Sequence, residues 1–461
     1  MQSNRMFKAI CLAVIGVLFV VSDAPINAQT SGLSASSAPA ASGQKYSLKT
    51  SRAVGAIDKV SYQLDIQGNL MIPSEKEKGK MDKFPVKATT KLAYTEKTNS
   101  YSAKEGGFQL EALRNYQTVK TERTVDTETD SITLPPEKRI LEVDVNGASS
   151  TIFHKQFCMN QSELDVLEVM ASSLMLDSLL PKTPVGVEDE WSIPEESLAA
   201  LLQLDSLTQA QVAQRFTELK GTTAVIDAQG LAEGMSDGVK TVINFKLKYY
   251  FSMKARRIIW VGMVTNEQRQ SGPVTPGLAI ESRVSMTVTP GAADADLTAE
   301  KWVKPSPELL LVHFTSSDGS WSMFHNRGWH IIQDTENQTV FRFMHLGNYI
   351  AQCVINKPNN PNATRAMTLA QFKAEVEGAV KEESAATRAV VSANEEASPA
   401  GIQIYQVIAE DSKDGSQWAY YMLKGTKNEQ LVFMFMLDKK NAENIGVTDM
   451  EMVGTLTFNS K

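Results

Sequence analysis

Period-two alternation of apolar and polar residues limits the choice of folds more than any other property of this sequence. Val60, Tyr62 and Leu64 alternate with polar residues, and the pattern returns at 86–94 and 278–289. Such alternation gives an antiparallel strand one dry face and one wet face. The sequence therefore predicts that residues 46–290 form a curved antiparallel sheet.

Two helices are predicted to interrupt this sheet within residues 162–204. In the first, over 162–180, Ser162 and Asp165 have the spacing of a helix cap, and Leu167 and Leu174 lie on one apolar stripe. The second helix begins near Pro194, a residue that suits the first turn of a helix. The first half is thus expected to be a sheet with helices inserted midway.

The second half of the chain has a different pattern. Segments 349–355, 418–423 and 431–437 are apolar on both faces, which predicts strands covered on both sides. Thr368 opens a helix over 368–382 with Gln371 as its capping-box partner, and a weaker helical pattern covers 441–453. We therefore expect an α/β/α sandwich around an antiparallel sheet, which makes the whole chain α+β.

The N-terminus has the pattern of a secretion signal. Arg5 and Lys8 precede an uncharged run at 9–21, and small residues lead to a predicted cleavage site after Ala28. Thirteen residues in a helix span about 20 Å, which is less than the roughly 30 Å of a hydrocarbon core. We expect the signal to be removed, with an uncleaved anchor as the alternative, and no transmembrane segment to remain after its removal.

Composition and periodicity divide the rest of the chain. The predicted units are a signal peptide at 1–28, a flexible leader at 29–45, a β-rich domain at 46–290, a linker at 291–305 and a second domain at 306–461. The linker is placed where the alternation stops, after Pro290.

Charge and motifs argue against several functions. The chain has 46 Lys and Arg against 53 Asp and Glu, a net charge of −7, so no nucleic-acid partner is expected. The motifs of nucleophilic hydrolases, zinc proteases, P-loop proteins and dinucleotide-binding proteins are absent from the sequence. We expect neither enzymatic activity nor a cofactor.

The histidines and cysteines are the residues that could bind a metal or form a cross-link. Four histidines fall within 33 residues, but their spacing is more typical of turn and surface positions than of zinc ligands; they are His313, His325, His330 and His345. Whether Cys158 and Cys353 form a disulfide is left open. Asn160, Asn337 and Asn362 match glycosylation acceptors, a match without meaning if the organism is bacterial.

Two groups of residues are candidate binding sites. The first is a basic segment interleaved with aromatic residues. It is compatible with an anion-binding strand or with an ordinary strand that has one solvent-exposed face, and its cations are Lys246, Lys248, Lys254, Arg256 and Arg257. The second is the dry face of the first sheet and its helices, which would bind an apolar ligand if the helices left space; its candidate residues are Tyr62, Leu64, Leu167, Leu174 and Met286.

The order of elements after residue 306 resembles the PsbP/DcrB-like fold of extrinsic photosystem proteins and bacterial periplasmic lipoproteins. The residues that carry this resemblance lie at 328–331, 340–343, 350–355, 368–372, 418–421 and 431–435. The resemblance implies a non-enzymatic assembly or interaction module. The first domain resembles secreted bacterial β-rich proteins of unknown function through the turn at 184–191, and its curved sheet resembles the LolA-type lipoprotein carriers at the level of the fold.

Together these observations predict an exported, periplasmic or extracellular, non-enzymatic binding or scaffolding protein of a bacterial cell envelope. Its expected partner is another envelope protein, and its oligomeric state is left open. A carrier of an apolar, lipid-like ligand and a hydrolase with a noncanonical site are the alternatives.

Overall fold

A computed structural model describes residues 43–74, 77, 79–104, 107–147, 149–345, 347–358, 367–383, 388–398, 401–413, 416–427, 429–437 and 449–459. The predicted signal peptide lies outside these residues, as does the leader up to residue 42. Strands make up 58% of the described residues and helices 13%. The protein is therefore mostly β.

One large antiparallel sheet, sheet I, contains the first twelve strands. Their order is β6-β5-β3-β2-β1-β12-β11-β10-β9-β8-β7, with β4 paired to β3. The strands β1 to β12 span Ile57–Pro73, Met81–Lys104, Gly107–Val125, Glu128–Thr133, Ile140–Asn146, Ser149–Phe153, Glu190–Trp191, Ser206–Lys220, Thr223–Ser236, Val239–Ser252, Arg257–Arg269 and Gly277–Pro290. The predicted antiparallel sheet is confirmed, and the pairing of β1 with β12 joins its first and last long strands.

The two faces of sheet I differ in polarity as the alternation predicts. The inner face packs on the inserted helices, and Val60, Tyr62, Phe245 and Leu247 are buried there. The outer face has the intervening polar residues, for example Lys246 and Lys248 on β10. Because side chains alternate along a strand, each apolar residue on the inner face fixes the outward direction of its neighbours.

The inserted segment is less helical than the sequence predicts. It contains α1 (Gln161–Leu167), a 3-10 helix (Leu176–Leu179) and α2 (Glu195–Leu202). Asn160 caps α1, and Glu163 completes the capping box, so the predicted cap at Ser162 is wrong. The chain leaves the helix before Ala171, which has a φ of 56° and whose N–H donates to the carbonyl of Leu201. A left-handed backbone cannot continue an α-helix, which explains why the helix predicted over 162–180 is interrupted.

The second half of the chain forms two more antiparallel sheets. Sheet II has the order β13-β14-β22, and sheet III has the order β15-β16-β17-β21-β20-β19-β18. The strands β13 to β22 span Val312–Thr315, Trp321–His325, Trp329–Asp334, Gln338–His345, Asn348–Asn356, Arg388–Ala397, Gln403–Asp411, Gln417–Lys424, Gln430–Leu437 and Thr457–Phe458.

The predicted α/β/α sandwich, and with it the α+β class, is wrong. On one face of sheet III, α4 (Leu369–Glu383) packs through Phe372 and Val376. The opposite face packs on residues of sheet II, such as Phe314 and Trp321, and on α5 (Asp449–Val453). Most of the second helix predicted over 441–453 lies outside the described residues. A small sheet therefore supplies much of the cover that was assigned to a helix.

The predicted linker contains ordered structure. It includes α3 (Ala295–Ala299), whose N-cap Asp294 accepts a hydrogen bond from the Leu297 N–H. Leu297 packs with Ile57 and Leu113, and Trp302 packs against the same cluster. This segment covers part of sheet I. Arg327 donates a hydrogen bond to the carbonyl of Ile152, 2.8 Å away, so residues before and after this segment are in contact.

A buried carboxyl group lies beside this segment. Glu142 on β5 is the register partner of Leu113 and is fully buried, and within the described chain neither of its oxygens has a hydrogen-bond partner of good geometry. Burial raises the pKa of Glu142 to about 7; the backbone N–H groups of Glu142 and Lys155 and the charge of Lys155 lower this pKa, and Glu300 raises it. Lys155 and Glu300 also pair with each other.

We predict that Glu142→Gln changes the pH dependence of stability. The pKa of Glu142 is about 7 in the folded protein, against an ordinary value of 4.5. The contribution of this group to the free energy of unfolding is therefore fully present below pH 4.5 and is lost as the pH rises through 7. This loss is on the order of 3 kcal/mol. Urea unfolding should give similar free energies for wild type and variant at pH 5, and a more stable variant at pH 8. An unchanged difference between the two pH values would contradict the prediction.

Candidate functional site

The candidate apolar-ligand face lies in a packed core. Tyr62, Leu64, Leu167, Leu174 and Met286 are between 1% and 8% exposed and belong to one apolar cluster. The Tyr62 hydroxyl donates to the carbonyl of Met170, 3.0 Å away. The structure brings all five residues together, with the side chains of the inserted segment packed among them.

The inner face also has a cluster of buried charges that the sequence analysis missed. Glu96 on β2 accepts a hydrogen bond from Arg114 Nε at 2.9 Å, and Arg52 Nη1 lies 3.6 Å from its other oxygen. Arg52 Nε also donates to Asp177 at 2.6 Å. Burial by itself lowers the pKa of Arg52, but the carboxylates of Asp177 and Glu96 outweigh it and raise that pKa. These contacts tie β2 and β3 to the inserted segment.

The signal for this cluster was present in the alternation. Glu96 falls in phase with Tyr94, and Arg114 falls in phase with Ala112 and Tyr116, so both charged residues point inward. A charge at an inward position needs a partner, because its desolvation is costly. The partners could not be named from the sequence, since the register of β2 with β3 includes two shifts.

The five candidate cations do not form one surface. Lys246 and Lys248 lie on the outer face of β10, and Lys254 and Arg256 are exposed in the turn between β10 and β11. Arg257 is buried and pairs with Asp58. The strand thus contributes two lysines to the outer face, and Arg257 serves the inner charge cluster.

A groove crosses the outer face of sheet I where these two lysines lie. We call it the outer groove, and it has a volume of about 570 Å³. Its polar and aromatic lining comes from β7 to β12 and comprises Glu190, Arg215, Thr217, Asp227, Gln229, Lys246, Lys248, Trp260 and Arg283. Of this set, only Lys246 and Lys248 are conspicuous in the sequence.

Gly262 shapes the floor of the outer groove. A Cβ at this position would lie 2.5 Å from Cη2 of Trp260, so only glycine leaves room for the indole over β11. Trp260 is half-buried, and its ring centroid lies 4.7 Å from that of Tyr250 on β10. The indole is therefore in contact with a second aromatic ring, and a side chain at position 262 would press against it.

The charges of the outer groove are only partly paired. Lys248 lies 3.2 Å from Asp227, Arg215 pairs with Glu188, and Arg283 pairs with Glu281. Lys246 is exposed, and no ion pair joins it to another described residue. Of the four cations that line the groove, Arg215, Lys248 and Arg283 each pair with a carboxylate, so Lys246 is the one that has no ion pair with a described residue.

The remaining candidates are the histidines, the two cysteines and the sequon asparagines. His325 is buried, and its Nδ1 lies 2.9 Å from the carbonyl of Asn326. Cys158 and Cys353 are both free thiols. Within the described residues no group of three or more His, Cys, Asp or Glu could hold a metal ion. Asn160 is the cap of α1, and Asn362 lies outside the described residues.

No described helix has the length and apolar character needed to cross a membrane.

Comparisons with known proteins identify no family for this sequence. No family model matches the sequence, and no curated protein matches it. Similar solved structures include one titled "Asymmetric conductivity of engineered proteins", with 8% identity over 82% of this chain and 98% of that one at a TM-score of 0.10. A triple mutant of Rh. blastica porin has 7% identity over 82% of this chain and 98% of its own at a TM-score of 0.10. Pseudomonas aeruginosa OccK11 (OpdR) has 5% identity over 85% and 98%, at a TM-score of 0.11.

At such TM-scores these likenesses carry no argument about location or function. The expected resemblances to PsbP/DcrB-like proteins, to secreted bacterial β-rich proteins and to LolA-type carriers are wrong, because no family model and no curated protein matches the sequence and the similar solved structures are of other kinds. Order-and-pattern similarity of strands can arise in unrelated sheets, since period-two alternation is common to all of them.

Proposed function

We propose that this protein is an exported, non-enzymatic binding protein of a bacterial cell envelope, and that its ligand is an anion held in the outer groove. The observation that carries the proposal is the exposed side chain of Lys246, which has no ion-pair partner in the described chain and lies in a groove with Arg215, Lys248 and Arg283. Cations that converge in a concave surface attract an anionic ligand.

The packing of the inner face supports an outer rather than an inner site. An apolar carrier needs roughly 300 Å³ or more of concave apolar space. The five candidate residues for such a space are at most 8% exposed within one cluster. Inner charges are paired as well, so the interior is suited to hold the sheet rigid while a ligand binds outside.

The proposal predicts salt-sensitive binding of poly-L-glutamate that depends on Lys246. Lys246→Gln should weaken it about fivefold, since an exposed charge contact is worth about 1 kcal/mol. Affinity is measured by titration calorimetry at 50 mM and 200 mM salt, because screening should weaken the wild-type complex.

Lys91→Gln is the matched control for this experiment. Lys91 is an exposed lysine on the same face, four strands from β10 and so about 19 Å away. Its replacement should leave the affinity unchanged. Binding that is absent, insensitive to salt, or equally weakened by both substitutions would contradict the proposal.

A further inference from the structure

We infer that the ligand of the outer groove is an acidic glycan. One of its sugar rings stacks on Trp260, and its carboxylates contact Lys246 and Arg283. This inference rests on the proposed function and adds the class of ligand. It is carried by the combination of an aromatic platform, separated cations and hydrogen-bond acceptors in one groove.

The platform is the first element of the argument. The benzo ring of Trp260 lies against Gly262, the ring of Tyr250 lies beside it, and the residue stays half-exposed. An amphipathic ring held in this way offers a flat apolar surface to the C–H groups of a sugar. A polyanion without rings gains nothing from it.

The spacing of the cations is the second element. Lys246 and Arg283 are both register partners of Val264, on either side of β11. They are therefore two strands apart, about 10 Å between backbones. Trp260 lies four residues from Val264 along β11, about 13 Å between backbones, so a ligand that meets both cations and the indole runs obliquely across the strands with its carboxylates on separate rings.

The carboxylates of the groove are the third element. Asp227 accepts from Thr217 at 3.1 Å and lies 3.2 Å from Lys248, and Glu190 lines the same surface. Carboxylates accept hydrogen bonds from hydroxyl groups and repel closely spaced phosphates. Together with exposed Gln229, they favour a hydroxyl-rich ligand over a nucleic acid strand, which would also stack on an indole.

The inference is tested by comparing four probes on the full chain: an oligogalacturonate, its neutral methyl ester, poly-L-glutamate and oligo(dT). The oligogalacturonate has rings and charges, whereas the ester lacks the charges and polyglutamate lacks the rings. We expect the oligogalacturonate to bind at least tenfold more tightly than each of the others.

Variants of the platform identify the cause of this preference. Trp260→Ala should abolish the advantage of oligogalacturonate over polyglutamate, and Trp260→Phe should keep part of it. Gly262→Ala keeps Trp260 but puts a methyl group against its ring. This variant should therefore also reduce the preference for oligogalacturonate over polyglutamate. Tyr349→Ala, which removes an exposed ring elsewhere, is the control and should change nothing.

The outcomes separate this inference from the proposed function. Equal affinity for polyglutamate and oligogalacturonate, unchanged in Trp260→Phe and Gly262→Ala, would overturn the acidic glycan and leave an anion-binding protein. Tightest binding of oligo(dT) would overturn it in favour of a nucleic acid. Failure of every anion to bind would overturn the proposed function itself.

Discussion

Replacing Glu96 with alanine is expected to lower the free energy of unfolding by about 3 to 5 kcal/mol. Glu96 is 2% exposed and accepts from both Arg114 and Ser173, with Arg52 close by. Its removal leaves two buried guanidinium groups without their shared carboxylate. Arg52 keeps its ion pair with Asp177, whereas Arg114 loses its only carboxylate among the described residues, and a buried charge without a counter-charge keeps its desolvation penalty.

Denaturant unfolding of the full chain measures this loss. Glu122→Ala is the matched control, because Glu122 lies on the neighbouring strand β3 and forms an exposed pair with Lys120. Exposed pairs contribute little to stability, so the control should unfold at the wild-type midpoint. A loss below about 1 kcal/mol for Glu96→Ala would mean that the cluster is open to water, since only exposed pairs are so cheap to break.

Leu174→Ala is expected to cost about 2 to 5 kcal/mol, as for other fully buried leucines. Leu174 is 1% exposed and packs in the core between sheet I and the inserted segment. Truncation there removes apolar contacts and leaves a cavity that rigid neighbours cannot fill. Leu174→Met nearly conserves the volume and should cost less than about 1.5 kcal/mol.

The same pair of variants separates a packed core from a ligand chamber. If the inner face enclosed a mobile apolar ligand, the ligand could fill the space left by Leu174→Ala, and the two substitutions would cost similar amounts. A difference below about 0.5 kcal/mol between Ala and Met, within ordinary surface effects, would contradict the packed core.

The strands of sheet I could be predicted because alternation is a local property. Phe245 and Leu247 point inward and Lys246 outward, as period two requires. The interrupted helix after α1 could not be predicted, because the left-handed turn at Ala171 depends on a contact with Leu201 rather than on local propensity. Tertiary contacts decide such positions.

The candidate site was predicted only in part for a related reason. Lys246 and Lys248 are conspicuous in the sequence, but Trp260, Arg215 and Arg283 join them only through the register of five strands. Register is set by turns, bulges and core packing across the sheet, none of which a single segment displays. Arg257 illustrates the opposite error, since its place in a basic run concealed its buried pairing with Asp58.

The central claim is that ligand binds on the outer face of sheet I while the inner face stays a packed core. Fluorine NMR of 5-fluorotryptophan protein tests it directly, because the six tryptophans include one reporter on each face. Trp260 lies in the outer groove, and Trp191 donates to the carbonyl of Leu179 on the inner side, 2.9 Å away. Trp260→Phe assigns the first signal, and a corresponding Trp191→Phe variant assigns the second.

Titration with oligogalacturonate is predicted to shift the Trp260 resonance progressively to saturation and to leave the Trp191 resonance in place. A shift of Trp191 with Trp260 unchanged would contradict the claim and place the ligand inside the sheet.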